Sequence, residues 1–286
     1  MATDSYMRKI LSLKTNLLAA SMIFAMFILL FFSSRNDSAV MDELAHIPAG
    51  YSYLTQKDYR LNPEHPPLIK DLAAIPLLFL NLKFPTDIPA WRDNVNGQWD
   101  VGRVFLYESG NNADRILRFA RFPVILLALF FGWLIFKWAR KLYGDKVGLL
   151  TLFLFAFSPT FIAHSRYVTT DLAAAFGFFL GLATFLNFLK RQDKKHIIIA
   201  GVALGTALLL KFSVFLLVPV YFILGILWQL LWRYNNRDAS DYEPNQKLGL
   251  LYLKDILKIS GKIFLIGIIA LVIIWAVYKF HVINYP

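Results

Sequence analysis

The chain has 286 residues, 57% hydrophobic and only 17% charged, with a mean hydropathy of +0.51 and a formal net charge of +11. A soluble chain of this length has about a quarter of its residues charged, so a water-soluble globular protein is excluded, and the hydrophobicity excludes a disordered one. A pI near 9.7 usually marks a nucleic-acid binder, but here Lys and Arg fall in short clusters between apolar runs, so the charge points to a membrane, and the absence of cysteine removes disulfides, thiolate metal sites and Cys nucleophiles.

A membrane-crossing helix needs about 20 mostly apolar residues. In chain order the candidate runs are 16–33, 116–136, 147–163, 172–189, 197–210, 213–232 and 263–280. The expected fold is therefore an all-α polytopic membrane protein with about seven spans and one integral membrane domain over 1–286. The fifth run is short, contains Gly201 and Gly205, and is separated from the sixth by Lys211. The first run follows Arg8, Lys9 and Lys14 and reads as an uncleaved signal anchor, being long for a signal peptide and lacking a small-residue cleavage pattern.

Orientation follows from the loops, because Lys and Arg are retained on the cytoplasmic side. With the N-terminus inside, segments 1–15, 137–146, 190–196 and 233–262 are cytoplasmic and carry 17 basic against 7 acidic residues. The segment 34–115, with Arg118 and Arg121, lies outside with 10 basic and 11 acidic residues. Most of the net charge is thus a topology signal, and the outer side is close to neutral.

The outer segment 34–115 is where chemistry is concentrated. Leu44, Ile47, Tyr51 and Leu54 at helical spacing predict an amphipathic surface helix over 41–55. Pro63, Pro66 and Pro67 make 58–67 a loop. A second helix, re-entrant or surface-bound, is expected from Pro66 to about Leu80, and a water-facing loop over 81–114.

Two polar clusters stand out. In Asp42-Glu43-Leu44-Ala45-His46, Asp42 and His46 share a helix face. The second is Arg60-Leu61-Asn62-Pro63-Glu64-His65-Pro66-Pro67, followed by Lys70. Together they can supply a general base or ligate a divalent metal, for which Glu64 and His65 are the candidates. Taken singly, each residue reads better as a solvated loop charge or an acidic helix start, and only together do they favour function.

Farther along, His164-Ser165-Arg166 and Asp171 lie at the outer turn before the fourth span. Asp171 suits a helix N-terminus, and the Arg166 guanidinium suits a phosphate. Lys211 lies at the next outer turn, where an ionisable group at membrane depth is either functional or a snorkelling lysine.

An Asp-Glu pair soon after the first span (Asp42-Glu43), followed by Glu64-His65-Pro66-Pro67-Leu68-Ile69-Lys70, resembles the C superfamily of membrane glycosyltransferases (GT-C). The similar branch is the protein mannosyltransferase and aminoarabinose-transferase-like group. Arg166 and Asp171 resemble that group's Arg-x-x-x-x-Asp turn, and Lys211 its lysine at the next outer turn. The resemblance implies inverting transfer of a sugar from a polyprenyl-phosphate donor to a hydroxyl of a protein, lipid or glycan acceptor, in the plasma (inner) membrane and on its outer face. It implies Asp42 as catalytic base with Glu43 beside it, and Glu64 positioning the acceptor or a metal. Arg60, His65, Lys70, Arg166, Asp171 and Lys211 would then bind substrate and phosphate. The bilayer and the lipid donor are the implied partners, and nucleic acid is not one. Members of the group are much longer, so the chain reads as a fragment of a longer enzyme, a split product or a minimal member.

Competing readings are a transporter or flippase of lipid-linked sugars and a non-catalytic membrane subunit. A transporter would be expected to place ionisable residues within its spans and to show an inverted repeat, whereas the ionisable residues here gather at one face. A zinc protease would need two imidazoles on one helix face, and Asp42-Glu43-x-x-His46 supplies one.

Overall fold

The computed structural model of the chain describes residues 2–236 and 248–286, with side chains from 13 to 236 and from 249 to 286. Its described residues form helices and no strands, which is the expected all-α polytopic membrane class. They divide into two compact units, 1–173 with 281–286, and 174–280.

The first unit runs through α1 (Ala2–Ser34), α2 (Met41–Gln56) and α3 (Leu68–Ala74), which tightens into a 3-10 turn at Ile75–Phe79. Two short helices follow, α4 (Pro89–Arg92) and α5 (Gln98–Arg103), the latter running into a π turn at Val104–Glu108. Then come α6 (Ala113–Tyr143), α7 (Asp145–Ala156) and α8 (Pro159–Ser165). From the unit boundary onward the elements are α9 (Asp171–Arg191), α10 (Lys194–Leu208), a 3-10 turn at Phe212–Leu216, α11 (Leu217–Asn235) and α12 (Leu248–His281).

Among the described residues five helical stretches are long and apolar enough to cross a membrane: Leu13–Ser34, Ala113–Tyr143, Asp171–Arg191, Phe212–Asn235 and Gly249–His281. The apolar run 147–163 is broken at Pro159 into α7 and α8, which meet at 60° and bring the number to six if the pair is one span. The remaining expected run, 197–210, is helical as α10, but its 15 residues extend only about 22 Å against a hydrocarbon core of about 30 Å. A Cβ added at Gly201 would meet the Ile269 side chain of α12 at 2.7 Å, and one at Gly205 the Ala270 carbonyl at 3.0 Å. This small-xxx-small spacing lets the two backbones approach closely, as is common between helices in membranes.

In the second unit Phe185 stacks on Tyr221 with ring centroids 3.9 Å apart, and the Tyr221 hydroxyl donates to the Gly181 carbonyl at 2.8 Å. Leu204, Val214, Ile259, Ile263 and Ile266 close the core around them.

In the first unit α1 and α6 run antiparallel and are tied by polar bonds at both ends. Arg140 of α6 donates to the Asn16 side chain and to Asp145, and Asp145 accepts from Thr15 at 2.8 Å. At the other end Arg121 of α6 donates to the carbonyls of Ser34, Asp37 and Ser38.

The outer segment differs from its expected surface-lying form. Helix α2 is buried from Ala45 to Tyr53 because α3 and α5 pack on it, so the amphipathic spacing reflects a helix enclosed on several sides. The stretch 81–114, expected as an open loop, folds into α4, α5 and the π turn because Trp91, Val101, Phe105 and Leu106 are buried there. The second helix is observed, one residue after Pro67 and ending in the turn at Phe79.

Candidate functional site

The start of α2 is fixed by Glu43. Its side chain is fully buried, as is that of Arg121. Arg121 Nε donates to Glu43 Oε1 at 2.8 Å and Nη2 to Oε2 at 2.7 Å. The same carboxylate accepts from the backbone N–H groups of Val40 at 3.1 Å and Val168 at 3.0 Å. With the three carbonyls of the 34–38 turn, all five guanidinium N–H donors have acceptors, and the carboxylate carries four bonds, close to its full capacity. The Glu43–Arg121 pair thus joins α1, α2, α6 and the turn after α8, and Glu43 is closed to any substrate.

Asp42, the preceding residue, is exposed. Consecutive helix positions point about 100° apart, so burying Glu43 turns Asp42 outward. One turn on, His46 is buried with Nδ1 2.9 Å from the Val168 carbonyl. A carbonyl only accepts, so the proton sits on Nδ1. The His65 ring meets the His46 ring edge-on at 5.4 Å. Burial is the main force that pushes His46 down to about 4, the Val168 bond and the Asp42 charge opposing it and the Lys70 and His65 charges adding to it.

The loop carrying Glu64 and His65 is organised from beneath by Lys70, which has no solvent exposure. Its ammonium donates to the Tyr53 hydroxyl at 2.7 Å, to Asn62 O and Oδ1 at 2.8 and 3.0 Å, and to the His65 carbonyl at 2.7 Å. The ammonium lies over the Tyr53 and Tyr59 rings, and Tyr59 also donates to the His65 carbonyl. Burial pushes Lys70 well below the ordinary lysine range, against the pull of Asp71 and Glu64. Close backbone approach is required here: a Cβ at Gly50 would sit 2.1 Å from the Lys70 carbonyl oxygen, and one at Gly102 would sit 1.9 Å from that of Leu44.

Glu64 accepts from Gln98 at 2.6 Å and from Asn96 at 3.3 Å. Burial raises its pKa, but its backbone bond, the Gln98 bond and the His65 and Lys70 charges outweigh this and hold it below the ordinary range. Arg60 is engaged by Asp58 and by the Trp91 carbonyl, with its guanidinium 4.4 Å above the Trp91 ring. Arg60 and Lys70, expected as phosphate cations, are thus both bound internally and shape the loop.

Arg166 is the more open cation. Nη1 donates to the Ser33 carbonyl at 3.0 Å and lies 3.2 Å from Asp37, while Nε is buried without a partner. The Tyr167 hydroxyl donates to Asp37 at 2.6 Å. Asp171 starts α9 and lies 3.4 Å from His164, both about half exposed. Asp42, Glu43, His46, Glu64, His65, Lys70, Arg166 and Asp171 all belong to the first unit, whereas Lys211 caps the 3-10 turn of the second.

For a metal the donors do not fit. No group of three or more His, Cys, Asp or Glu able to hold a metal ion occurs among the described residues, and Glu64, one of the two candidates, spends both oxygens on amides.

Three participants were not expected: Arg121, Asp37 and His281. His281, the last residue of α12, is buried and bonds Asp71 at 2.8 Å. Its ring also meets Tyr53 and Tyr59 edge-on. A lone His just past a run ending in Tyr278-Lys279-Phe280 was the available signal.

The neutral, buried His46 makes a stability prediction. A histidine whose folded pKa lies below its unfolded value of about 6.5 contributes stability in full above 6.5 and loses it as pH falls toward 4. The fold is expected to weaken by about 2 kcal/mol between pH 7 and pH 5 from this group. Detergent-solubilised protein should show this in its unfolding temperature, and His46→Gln should flatten the dependence; an equally steep variant would assign it elsewhere.

Residues 115–238 match the model of the family described as dolichyl-phosphate-mannose-protein mannosyltransferase. The match covers α6 to α11 with Arg166, Asp171 and Lys211, and it begins after Asp42 and Glu64. No curated protein and no solved structure matches the chain. This mannosyltransferase match, in a helical chain with five or six stretches able to cross a membrane among the described residues, supports a GT-C-like membrane glycosyltransferase.

Proposed function

We propose that the chain transfers a sugar from a polyprenyl-phosphate donor to an acceptor hydroxyl, with inversion, and that Asp42 is the base. The observation that carries this reading is the division of labour within the Asp-Glu pair: Glu43 is locked to Arg121, and Asp42 is held on the same rigid helix start yet open to solvent. In the step, Asp42 takes the acceptor proton as the acceptor oxygen attacks the anomeric carbon opposite the phosphate. The bond from that carbon to the phosphate oxygen breaks, and the negative charge passes to the lipid phosphate. Phosphate is a good leaving group, so activation of the acceptor is the demanding part. Arg166, about a quarter exposed at its side chain, suits the developing phosphate charge. Glu64, oriented by Gln98 and Asn96, suits the acceptor, and His164 orients Asp171. Lys211 is assigned to the donor by the resemblance.

The acceptor is a protein, lipid or glycan hydroxyl. The charge counts support a cytoplasmic N-terminus with Asp42 on the outer face of the plasma membrane. The test is to incubate membranes containing the chain with radiolabelled polyprenyl-phosphate sugars. The expected result is labelled acceptor with the anomeric configuration inverted. Retention of configuration would overturn Asp42 as direct base, and passage of intact lipid-linked sugar across the bilayer without transfer would favour a flippase.

A further inference from the structure

At the end of α9 remote from Asp171 the second unit holds a polar cavity of about 370 Å³, a volume within the range of ligand sites. Its walls come from the last turn of α9 (Lys190, Arg191), the last turns of α11 (Trp228, Trp232, Arg233) and the beginning of α12 (Asp255, Lys258). Asp255 is its one acidic wall residue, and it is already neutralised: Arg233 Nε donates to it at 2.8 Å and Nη2 lies 2.6 Å away. Lys190, Arg191 and Lys258 also line the cavity, and none of them is in ion-pair contact with a carboxylate among the described residues, Arg191 feeling only the nearby charge of Asp193. Lys262, the next turn of α12, donates to the Gln192 carbonyl and side chain, holding the end of α9 against α12.

Three cations in one concave site are more than topology requires. The cytoplasmic bias of Lys and Arg is satisfied by residues scattered through loops, and like charges brought together repel. A concentration of unpaired positive charge is stabilised by an anion. The two Trp side chains identify the setting, since indoles prefer the membrane interface, and basic pockets between spans at that level take anionic headgroups.

We infer that this cavity binds a phosphate-bearing anionic group, supplied by the headgroup of an anionic membrane lipid. The inference is independent of the transferase reading.

The test uses the full chain in nanodiscs containing equal phosphatidic acid and phosphatidylcholine, with retained lipid measured by native mass spectrometry. Phosphatidic acid should be retained at least tenfold over phosphatidylcholine, and the double variant R191Q/K258Q should abolish the preference. The charge-preserving R191K/K258R should keep it, and its folded state, followed by size exclusion, controls for damage. Inorganic phosphate is the second arm: if it displaces the lipid at millimolar concentration the site stands but its ligand is a soluble phosphate. Equal retention of both lipids, or a preference that survives R191Q/K258Q, would overturn the site.

Discussion

Arg121→Met is expected to destabilise the first unit by about 3–5 kcal/mol, because it strands the buried Glu43 carboxylate without its counter-ion. The loss goes beyond an ion pair. Arg121 is also the hydrogen-bond donor to the Ser34, Asp37 and Ser38 carbonyls, so the turn from α1 to α2 loses its acceptors' partners as well. Glu43→Gln should act in the same direction, since one amide oxygen replaces two carboxylate oxygens that together accept four bonds. The double variant Arg121→Met with Glu43→Leu separates two explanations. If only the charges mattered, replacing both by apolar groups would be close to neutral. Here it should remain destabilised, because the Ser34 carbonyl and the Val168 N–H stay buried without partners, and the part-buried Asp37 and Ser38 carbonyls and Val40 N–H lose theirs. Thermal unfolding of the purified protein, followed by Trp fluorescence, measures all three. An Arg121→Met variant within about 1 kcal/mol of the parent would remove this cluster as the anchor of the site.

The contrast between Glu43 and its neighbour shows how far the sequence could be read. Membrane spans are local: twenty apolar residues announce themselves, and five of the expected runs appear as crossing helices. Pro159 could have marked the break between α7 and α8, but hydropathy averaged over a window passes across it. In Asp42-Glu43 the resemblance singles out Asp42 as base, but nothing in the pair itself says which carboxylate is buried. Helix geometry requires that they point different ways, yet which one turns inward depends on Arg121, 78 residues away. The same reason hid His281, whose partner Asp71 is 210 residues distant. Arg60 and Lys70 read as available cations partly because three of their acceptors are backbone carbonyls, those of Trp91, Asn62 and His65, and a backbone carbonyl has no signature in a one-letter code. The enclosed state of α2 was hidden for a related reason, as Gly50 and Gly102 gain their meaning only from the carbonyls they admit.

Asp42→Asn is expected to reduce transfer by about 10²–10⁴-fold, the range supplied by a positioned general base, while leaving the fold almost untouched. The substitution preserves shape and removes only the ability to take a proton. The side chain is exposed and makes no hydrogen bond among the described residues, so the structural cost is confined to the favourable charge at a helix start, about 0.3–1 kcal/mol. The signature is therefore a fall in kcat with KM for the lipid donor little changed, alongside an unfolding temperature close to the parent's. That profile is the opposite of the Glu43 variant's, whose activity should fall together with its stability. Arg166→Gln supplies the third contrast: if the guanidinium meets the donor phosphate, its loss should raise KM for the donor as well as lower kcat, because a cation that binds the ground-state phosphate is lost along with the one that stabilises the departing charge. Three variants within one small region should thus fail in three distinguishable ways. Asp42→Asn with undiminished transfer would refute the base assignment outright, and Asp42→Asn that unfolds like Glu43→Gln would move Asp42 from chemistry to structure.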